Sequence, residues 1–399
     1  MRTDWFTAAR FGMFVHFGLY SLPGGVWHGR RISHPYAEWL QSCEGVAAGE
    51  YRALADVFDP ADFDAREWIA CAKCAGMRYF IITAKHHDGF ALWPTKASDF
   101  NIAATPFGRD IIGELSAACK EAGVRFGVYY SHWLDWLDGD VHESMVSRGY
   151  AHPTEAQFDR YWQEKCLPQV AELLAYEPDL FWFDTWDDPY SQRYVTREKQ
   201  KELIRLIRDK RPDALISSRI QMMDPDEDAD FISCRDNCFP EAGFDKPWET
   251  SGTLNASWGY HKLDFAWKDA AGLIGNLMHN AALGGNYQLN VGPDGRGRFS
   301  PAARRRLKEI GAWLEANGEA VYGTRAGGMA PDVPGCVTRR DGALYVMPEA
   351  PAERFTLPVR AKNAFILETG QPVTVKGNTF ILPPEARALT LPVIKIVEE

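Results

Sequence analysis

The sequence predicts an α/β fold: a (β/α)8 TIM-type barrel followed by a small all-β domain. Eight short runs rich in β-branched and aromatic residues lie between residues 11 and 292, and helical patterns separate most of them. No GxGxxG turn follows the first run, which favours the barrel over an open doubly wound sheet; the open sheet is the alternative. After about Tyr322 no further helix is indicated.

Candidate strands and helices alternate through the first part of the chain. The strands cover 11–18, the stretch 79–90, 124–131, 179–186, 214–219, 229–234, 246–250 and 284–292. The clearest helices are 62–75, 109–122, 154–176, 196–210, 268–282 and 301–317. Pro301 suits the first turn of its helix, with Ser300 as the N-cap.

The C-terminal part reads as short strands separated by turn residues, for example "ALYVMP" and "TFILP". We therefore expect residues 1–325 to form the barrel. Residues 326–399 are expected to form a β-sandwich domain.

Charge and hydropathy exclude several kinds of partner. The 44 basic and 54 acidic residues give the 399-residue chain a net charge of −10, which argues against a nucleic-acid partner. No run of 18 apolar residues occurs, so we expect no membrane span. The first residues lack the pattern of a signal peptide, which favours a cytoplasmic location. The oligomeric state stays open.

The eight cysteines raise the possibility of a metal or redox site. Cys71 and Cys74 have CxxC spacing, but they lie in an amphipathic helical pattern without a second CxxC or a paired His motif. Free thiols are the preferred interpretation, and neither a metal nor a cofactor is expected.

Polar and aromatic residues follow the candidate strands where a barrel would gather them at one mouth. This set comprises His16, Lys85, His86, His87, Asp88, Tyr129, Tyr130, His132, Trp182, Asp184, Trp186, Arg219, Trp248 and Glu249.

Asp184 ends the apolar run "LFWFD", and Trp182, two residues earlier, points to the same side of the strand. A carboxylate beside a tryptophan suits a nucleophile beneath a sugar ring. The alternative is an aspartate that caps the following segment.

His86 and His87 face opposite ways in an extended backbone, so they are not expected to bind one metal together. Recognition of sugar hydroxyls is the functional interpretation, because a neutral imidazole offers a donor and an acceptor. The alternative is one core histidine and one surface histidine.

Glu249 follows Trp248 in a segment with little periodicity, which we expect at the barrel mouth. Apolar surroundings raise the pKa of a carboxyl, as a general acid needs. A solvated loop glutamate is the alternative.

Two carboxylates with aromatic residues, in a sequence without P-loop, GxSxG or HExxH motifs, favour glycoside hydrolysis.

The chain resembles the retaining α-L-fucosidases of glycoside hydrolase family 29 from about Trp5 to Tyr322. The resemblance rests on "RFGMFVHFGLYSLP", "AEWL", "YFIITAKHHDGFALWPTKASDFN", "GVYYSHWLDW", "LFWFDTW", "PWETSGTLNASWGY" and "LGGNYQLNVGPDGRG", in this order. It implies a barrel with a C-terminal β-sandwich. It also implies exo-acting hydrolysis of terminal α-L-fucosyl residues on oligosaccharides or glycoconjugates.

The resemblance assigns roles to particular residues. Asp184 matches the nucleophile of the family, and Glu249 is favoured as acid/base, with Glu38 second. Residues that match the family's sugar pocket are His16, Glu38, Trp39, His86, His87, Tyr129, Trp182 and Arg219.

The sequence departs from the family pattern at Phe17, where a tryptophan is expected, and in the acidic stretches 184–188 and 222–230. These stretches leave the aglycone preference open. Two other functions are compatible with the motifs: a related α-L-glycosidase such as an α-L-galactosidase, and a catalytically silent sugar-binding protein.

Overall fold

The computed structural model describes residues 1–141, 152–186, 189–221, 228–327, 335–348 and 353–399, without the side chains of residues 189, 190 and 387. Most of the acidic stretch at 222–230 and the last two residues of 184–188 lie outside this description. In the described part of the chain, no helix is long and apolar enough to cross a membrane.

Eight parallel strands form one curled sheet, which confirms the predicted barrel class. In chain order they are β1 (Phe11–Val15), β2 (Tyr79–Lys85), β3 (Arg125–Tyr130), β4 (Leu180–Phe183), β5 (Leu215–Ile216), β6 (Ile232–Ser233), β7 (Trp248–Thr253) and β8 (Asn286–Val291). The order across the sheet is β5-β4-β3-β2-β1-β8-β7-β6. A parallel bridge between Ser217 and Phe231 links the two terminal strands.

Helices connect the strands and cover the outside of the sheet. The α-helices are α1 (Asp4–Ala9), α2 (Leu40–Cys43), α3 (Ala48–Arg52), α4 (Ala65–Cys74), α5 (Ile111–Ala122), α6 (Glu155–Tyr161), α7 (Leu167–Leu173), α8 (Pro189–Tyr194), α9 (Arg197–Lys210), α10 (Ala270–Ala282) and α11 (Pro301–Asn317). A π-helical turn, Trp162–Cys166, joins α6 to α7. The 3-10 turns are Leu19–Ser21, Ala37–Trp39, Ala53–Val57, Ile102–Ala104, Leu174–Tyr176, Ser218–Ile220, Gly318–Ala320 and Pro384–Ala388.

Side-chain chemistry explains where several helices begin. The Ser300 side chain accepts the N–H of Ala303, and Pro301 occupies the first turn of α11 as predicted. Thr154 forms a capping box with Gln157 at the start of α6. Each cap satisfies backbone donors that the helix itself leaves unpaired.

The sheet is buried on both faces because helices cover its outside and aromatic residues fill its inside. All seven residues of β2 are buried. The interior contains Phe6, Phe14, Tyr79, Ile81, Tyr129, Leu180, Trp182, Leu215, Phe231 and Trp258. Phe6, on the N-terminal helix α1, packs against Phe231 with ring centroids 4.8 Å apart, so α1 closes the end of the barrel opposite the mouth.

The C-terminal part consists of two antiparallel sheets, as predicted for a sandwich. The strands are β9 (Arg325–Ala326), β10 (Gly335–Arg340), β11 (Ala343–Pro348), β12 (Arg354–Thr356), β13 (Ala361–Ile366), β14 (Thr374–Lys376), β15 (Thr379–Ile381) and β16 (Ile394–Glu398). Their orders are β9-β10-β11-β16-β13 and β12-β15-β14. Tyr345, Met347 and Val393 belong to the same buried cluster as the outer barrel core, so the two parts share packing.

Candidate active site

A pocket of about 640 Å³ opens at the C-terminal ends of the barrel strands. Its lining consists of Phe14, His16, His34, Tyr36, Glu38, Trp39, His86, His87, Tyr129, Trp182, Asp184, Trp186, Arg219, Arg235, Asp236 and Trp258. Every residue predicted to be catalytic or to bind the sugar, except Glu249, is among them. Eight of the fourteen residues that were placed at the mouth by their position at strand ends line the pocket, and Glu38 and Trp39 were predicted from the resemblance.

Asp184 immediately follows β4, and its carboxylate is held on both oxygens. Tyr129 donates its hydroxyl to Oδ2 at 2.9 Å, and Arg219 Nη1 donates to Oδ1 at 3.1 Å. His87 Nε2 lies 3.5 Å from Oδ2. Burial raises the pKa of Asp184, and the Arg219 cation opposes that rise. The aspartate is thus fixed in position but kept ionisable, as a nucleophile requires.

Trp182 forms part of the pocket wall beside Asp184. Its ring stacks on Tyr129 with centroids 5.4 Å apart, and the Arg219 guanidinium lies 4.8 Å from its centre. The indole N–H donates to Glu249 Oε1 at 2.7 Å. A flat apolar ring fixed by stacking and a hydrogen bond suits contact with a sugar face.

Three of the four pocket histidines, His16, His86 and His87, are neutral because burial lowers their pKa values, that of His16 to about 4. Asn290 donates its amide to the Trp258 carbonyl, so its Oδ1 accepts from His16 Nδ1 at 2.7 Å. His16 then presents Nε2 as an acceptor. Neutral imidazoles can hydrogen-bond sugar hydroxyls without placing a cation in the pocket.

Glu38 and Trp39 reach the pocket from the 3-10 turn Ala37–Trp39. Glu38 accepts the N–H of Gly259 at 2.8 Å, and burial raises its pKa to about 8. It is therefore protonated at neutral pH and can donate to a sugar oxygen. Trp39 contacts His87 edge to face, with ring centroids 5.5 Å apart.

Asp236 is a pocket carboxylate that sequence reasoning missed. Arg219 Nη2 donates to Asp236 Oδ1, while Nη1 of the same guanidinium donates to Asp184. The Asp236 side chain is 39% exposed, against 15% for Asp184. Asp236 comes three residues after β6, so its position near a strand end was a signal in the sequence, although a weak one because β6 has only two residues.

The expectation that Glu249 lies on an irregular segment at the mouth is wrong. Glu249 is the second residue of β7, pairs with Asn286 at the start of β8, and does not line the pocket. The strand continues to Thr253 rather than ending at residue 250, so its C-terminal end lies four residues after Glu249. Glu249 is fully buried beneath Trp182, and Tyr79 also donates to it, at 3.3 Å.

Several other residues that were predicted at the mouth because they follow candidate strands do not line the pocket. Lys85 Nζ donates to Asp135 Oδ2 at 3.0 Å and to the Tyr161 hydroxyl at 2.8 Å. Tyr51 donates to Asp88, and His132 bonds the Ile220 carbonyl at 2.9 Å. These residues support the loops around the pocket. Within the described residues, no three His, Cys, Asp or Glu side chains are grouped to hold a metal ion.

Comparison with known proteins identifies the family. A sequence profile described as alpha-L-fucosidase matches residues 1–319. The chain belongs to the alpha-L-fucosidase family. It is therefore a glycoside hydrolase. This confirms both the glycoside hydrolysis that the motifs predicted and the fucosidase family that the resemblance implied.

Relatives in this fucosidase family share both sequence and fold with the chain. The tissue alpha-L-fucosidase of Mus musculus is 30% identical over 336 residues, which cover 81% of this chain and 72% of the relative. Alpha-L-fucosidase isoenzyme 1 from Paenibacillus thiaminolyticus is 30% identical with a TM-score of 0.86, covering 100% of this chain and 99% of the other.

A family 29 alpha-L-fucosidase from Bacteroides thetaiotaomicron was solved as a trapped covalent intermediate with 2-fluoro-fucosyl fluoride. It is 29% identical with a TM-score of 0.87, covering 99% of this chain and 95% of the other.

Proposed function

We propose that the chain removes terminal α-L-fucosyl residues from oligosaccharides or glycoconjugates with retention of anomeric configuration. In this proposal Asp184 is the nucleophile and Asp236 is the acid/base. The observation that carries it is the contact of one guanidinium, Arg219, with both carboxylates at the pocket. Retaining enzymes need their two carboxyl groups close together, about 5–5.5 Å apart. The trapped covalent intermediate of the Bacteroides relative is of the kind that this mechanism forms.

In the first step Asp184 attacks the anomeric carbon, and the bond from that carbon to the leaving oxygen breaks. Asp236 gives its proton to the leaving oxygen, and a fucosyl ester forms on Asp184. Tyr129 and Arg219 hold the Asp184 carboxylate during the attack.

In the second step Asp236, now a carboxylate, takes a proton from water, and the water oxygen attacks the anomeric carbon. The ester bond breaks, and Asp184 leaves as a carboxylate. No redox step or cofactor is involved.

Three carboxyl groups compete for the acid/base role, and exposure favours Asp236. The acid/base must reach both the leaving oxygen and an entering water. Asp236 is part-exposed on the pocket rim, whereas Glu38 and Glu249 are fully buried. Glu38 also has its pKa raised to about 8, which disfavours the base form needed for the second step at neutral pH.

Labelling tests the nucleophile. We expect 2-fluoro-fucosyl fluoride to label the peptide that contains Asp184. Asp184→Gly should lose activity and regain it with azide, giving β-fucosyl azide. A label on another carboxylate, or full activity of the variant, would contradict the assignment.

Leaving-group dependence tests the acid. Asp236→Ala should lower kcat/KM for a fucosyl disaccharide by roughly 10²- to 10⁴-fold and leave kcat/KM for a dinitrophenyl fucoside almost unchanged. Without Asp236 as base the second step should be slow, so azide should raise kcat for the aryl substrate and yield α-fucosyl azide. Glu38→Gln and Glu249→Gln are the matched comparisons. If one of them shows this pattern instead, that residue is the acid.

A further inference from the structure

The Asp236 carboxyl lies on a segment without regular structure, between β6 and β7. Arg219 Nη2 donates to the Asp236 carboxylate and to the Cys234 carbonyl. Because the side chain is short and part-exposed, the backbone around residue 236 decides where the carboxyl points.

The next residue holds this backbone in an unusual conformation. Asn237 has φ +52, in the left-handed region that asparagine tolerates better than most residues. Its N–H donates to the Ser251 carbonyl at 2.9 Å, and its Oδ1 accepts the N–H of Thr253 at 3.0 Å. The turn that carries Asp236 is therefore attached to the C-terminal half of β7.

Lys268 completes this attachment. Its ammonium donates to Asn237 Oδ1 at 2.9 Å and to the Thr253 carbonyl at 2.7 Å. The Lys268 backbone is itself fixed, since its N–H donates to the Leu254 carbonyl at 2.9 Å and Arg306 Nε donates to its carbonyl at 2.7 Å. Asn237, Thr253 and Lys268, which we call the clamp, thus join the Asp236 turn, the end of β7 and the segment before α10.

The clamp has the chemistry of a positioning device. A part-buried ammonium makes charge-assisted hydrogen bonds, which are about twice as strong as neutral ones. The clamp holds Asn237, the residue directly after Asp236. Arg219 binds the carbonyl of Cys234, two residues before Asp236, and the carboxyl of Asp236 itself. Asp184 needs no comparable support from a loop, because it directly follows β4.

We propose that Lys268 and Asn237 are positioning residues that fix the Asp236 carboxyl for proton transfer to the leaving group. The proposal rests on the assignment of Asp236 as acid/base. A clamp of this kind affects the proton-dependent part of the reaction and leaves the nucleophile in place.

The test uses Lys268→Met, which keeps the length of the side chain and removes its donors, and Asn237→Gly, which tolerates φ +52 and removes the acceptor. We expect both variants to lower kcat/KM for a fucosyl disaccharide by roughly 10- to 100-fold. For a dinitrophenyl fucoside, whose departure needs no proton, kcat/KM should stay within about twofold. Lys73→Met, which removes an ammonium that donates to the Ala122 carbonyl, is the matched control and should change neither value.

If the clamp variants lose kcat/KM equally on both substrates, the effect is a general structural one and the proposal is overturned. The proposal is also overturned if they lose kcat/KM on neither substrate. Asp236→Ala, measured in parallel, separates this proposal from the proposed function. If Asp236→Ala shows the selective loss and the clamp variants do not, the clamp is refuted and the acid assignment stands. If Asp236→Ala shows no selective loss, the acid assignment and the clamp proposal both fall.

Discussion

At the residue scale, Arg219 performs two tasks with one guanidinium. Its contact with Asp184 favours the ionised form of that carboxyl, and its contact with Asp236 orients a second carboxyl beside the first. When Asp236 is ionised, its charge acts in the opposite sense and raises the pKa of Asp184. The ionisation of the proposed nucleophile therefore depends on burial, on the Arg219 cation and on whether Asp236 holds its proton.

This balance predicts a change in the pH profile of an Arg219→Met variant. Asp184 attacks only when ionised, so activity falls as the pH drops through its pKa. Arg219 lowers that pKa, and its removal raises it. We expect the acidic limb of kcat/KM for a dinitrophenyl fucoside to move to higher pH by roughly one unit or more. Arg109→Met, which removes an exposed partner of Glu114, should leave the limb in place. An unchanged or acid-shifted limb for Arg219→Met would contradict this account.

Sequence could locate most of the predicted pocket residues because they lie in a recognisable strand or shortly after one; Glu38 and Trp39, on a 3-10 turn, were predicted from the resemblance instead. Asp184 and Trp182 were found from a run of apolar residues and the two-residue period of a strand. Asp236 was not predicted because β6 has only two residues and Asp236 lies three residues beyond it, in a segment without regular structure. Its place in the pocket lining and its contact with Arg219, a residue 17 positions earlier in the chain, show that it belongs to the site.

At the element scale, the eight strands were predictable, but the ends of β7 were not. The segment "WETSGT" contains small and polar residues that resemble a loop, and yet all six are buried in the strand. Their polar side chains have partners inside the protein; Ser251, for example, donates to Gln288 on β8. Sequence periodicity does not reveal such partners, so the strand was expected to end too early and Glu249 was placed at the wrong end.

The actual place of Glu249 predicts how stability depends on pH. Burial raises its pKa from 4.5 to about 7, so between these values the folded state holds a proton that the unfolded state releases. This contribution to stability is present at low pH and is lost as the pH rises through about 7. Because glutamine does not titrate, Glu249→Gln removes this pH-dependent contribution.

Urea unfolding of both proteins at pH 5 and pH 8 measures the effect. From pH 5 to pH 8 the wild type should lose on the order of 1–3 kcal/mol relative to Glu249→Gln. The buried Glu38 and Asp88 titrate in both proteins, so the comparison isolates Glu249. A difference of the opposite sign would refute the assignment of a raised pKa.

At the scale of the whole molecule, the barrel and the sandwich share a buried cluster. Tyr345 on β11 is 1% exposed, belongs to the outer barrel core, and donates its hydroxyl to Glu319 at 2.6 Å. Trp313 on α11 donates to the Leu391 carbonyl at 3.1 Å. The change from helices to strands near Tyr322 was visible in the sequence, and a boundary after residue 325 stays a prediction. The contacts across it could not be predicted, because each joins residues far apart in the chain.

Shared packing predicts that a substitution in the sandwich destabilises the barrel. All 14 tryptophans precede Tyr322, so their fluorescence reports on the barrel. We expect Tyr345→Ala to lower the free energy of unfolding measured by tryptophan fluorescence in urea, by about 3 kcal/mol. Tyr345→Phe, which keeps the ring and loses the hydrogen bond, should cost only about 1 kcal/mol. A fluorescence transition unaffected by Tyr345→Ala would mean that the two parts unfold independently.

The different supports of the two proposed catalytic carboxyls have an evolutionary consequence. Asp184 follows β4, a strand paired on both sides, where an insertion or deletion would disturb the register of the sheet. Asp236 belongs to a connection between strands, and such connections tolerate changes of length. Divergence can therefore move the proton donor along the chain, or replace it from a neighbouring loop, while the nucleophile stays in register with its strand. In such enzymes the donor is better found by its contact with the arginine than by its distance from the nucleophile in sequence.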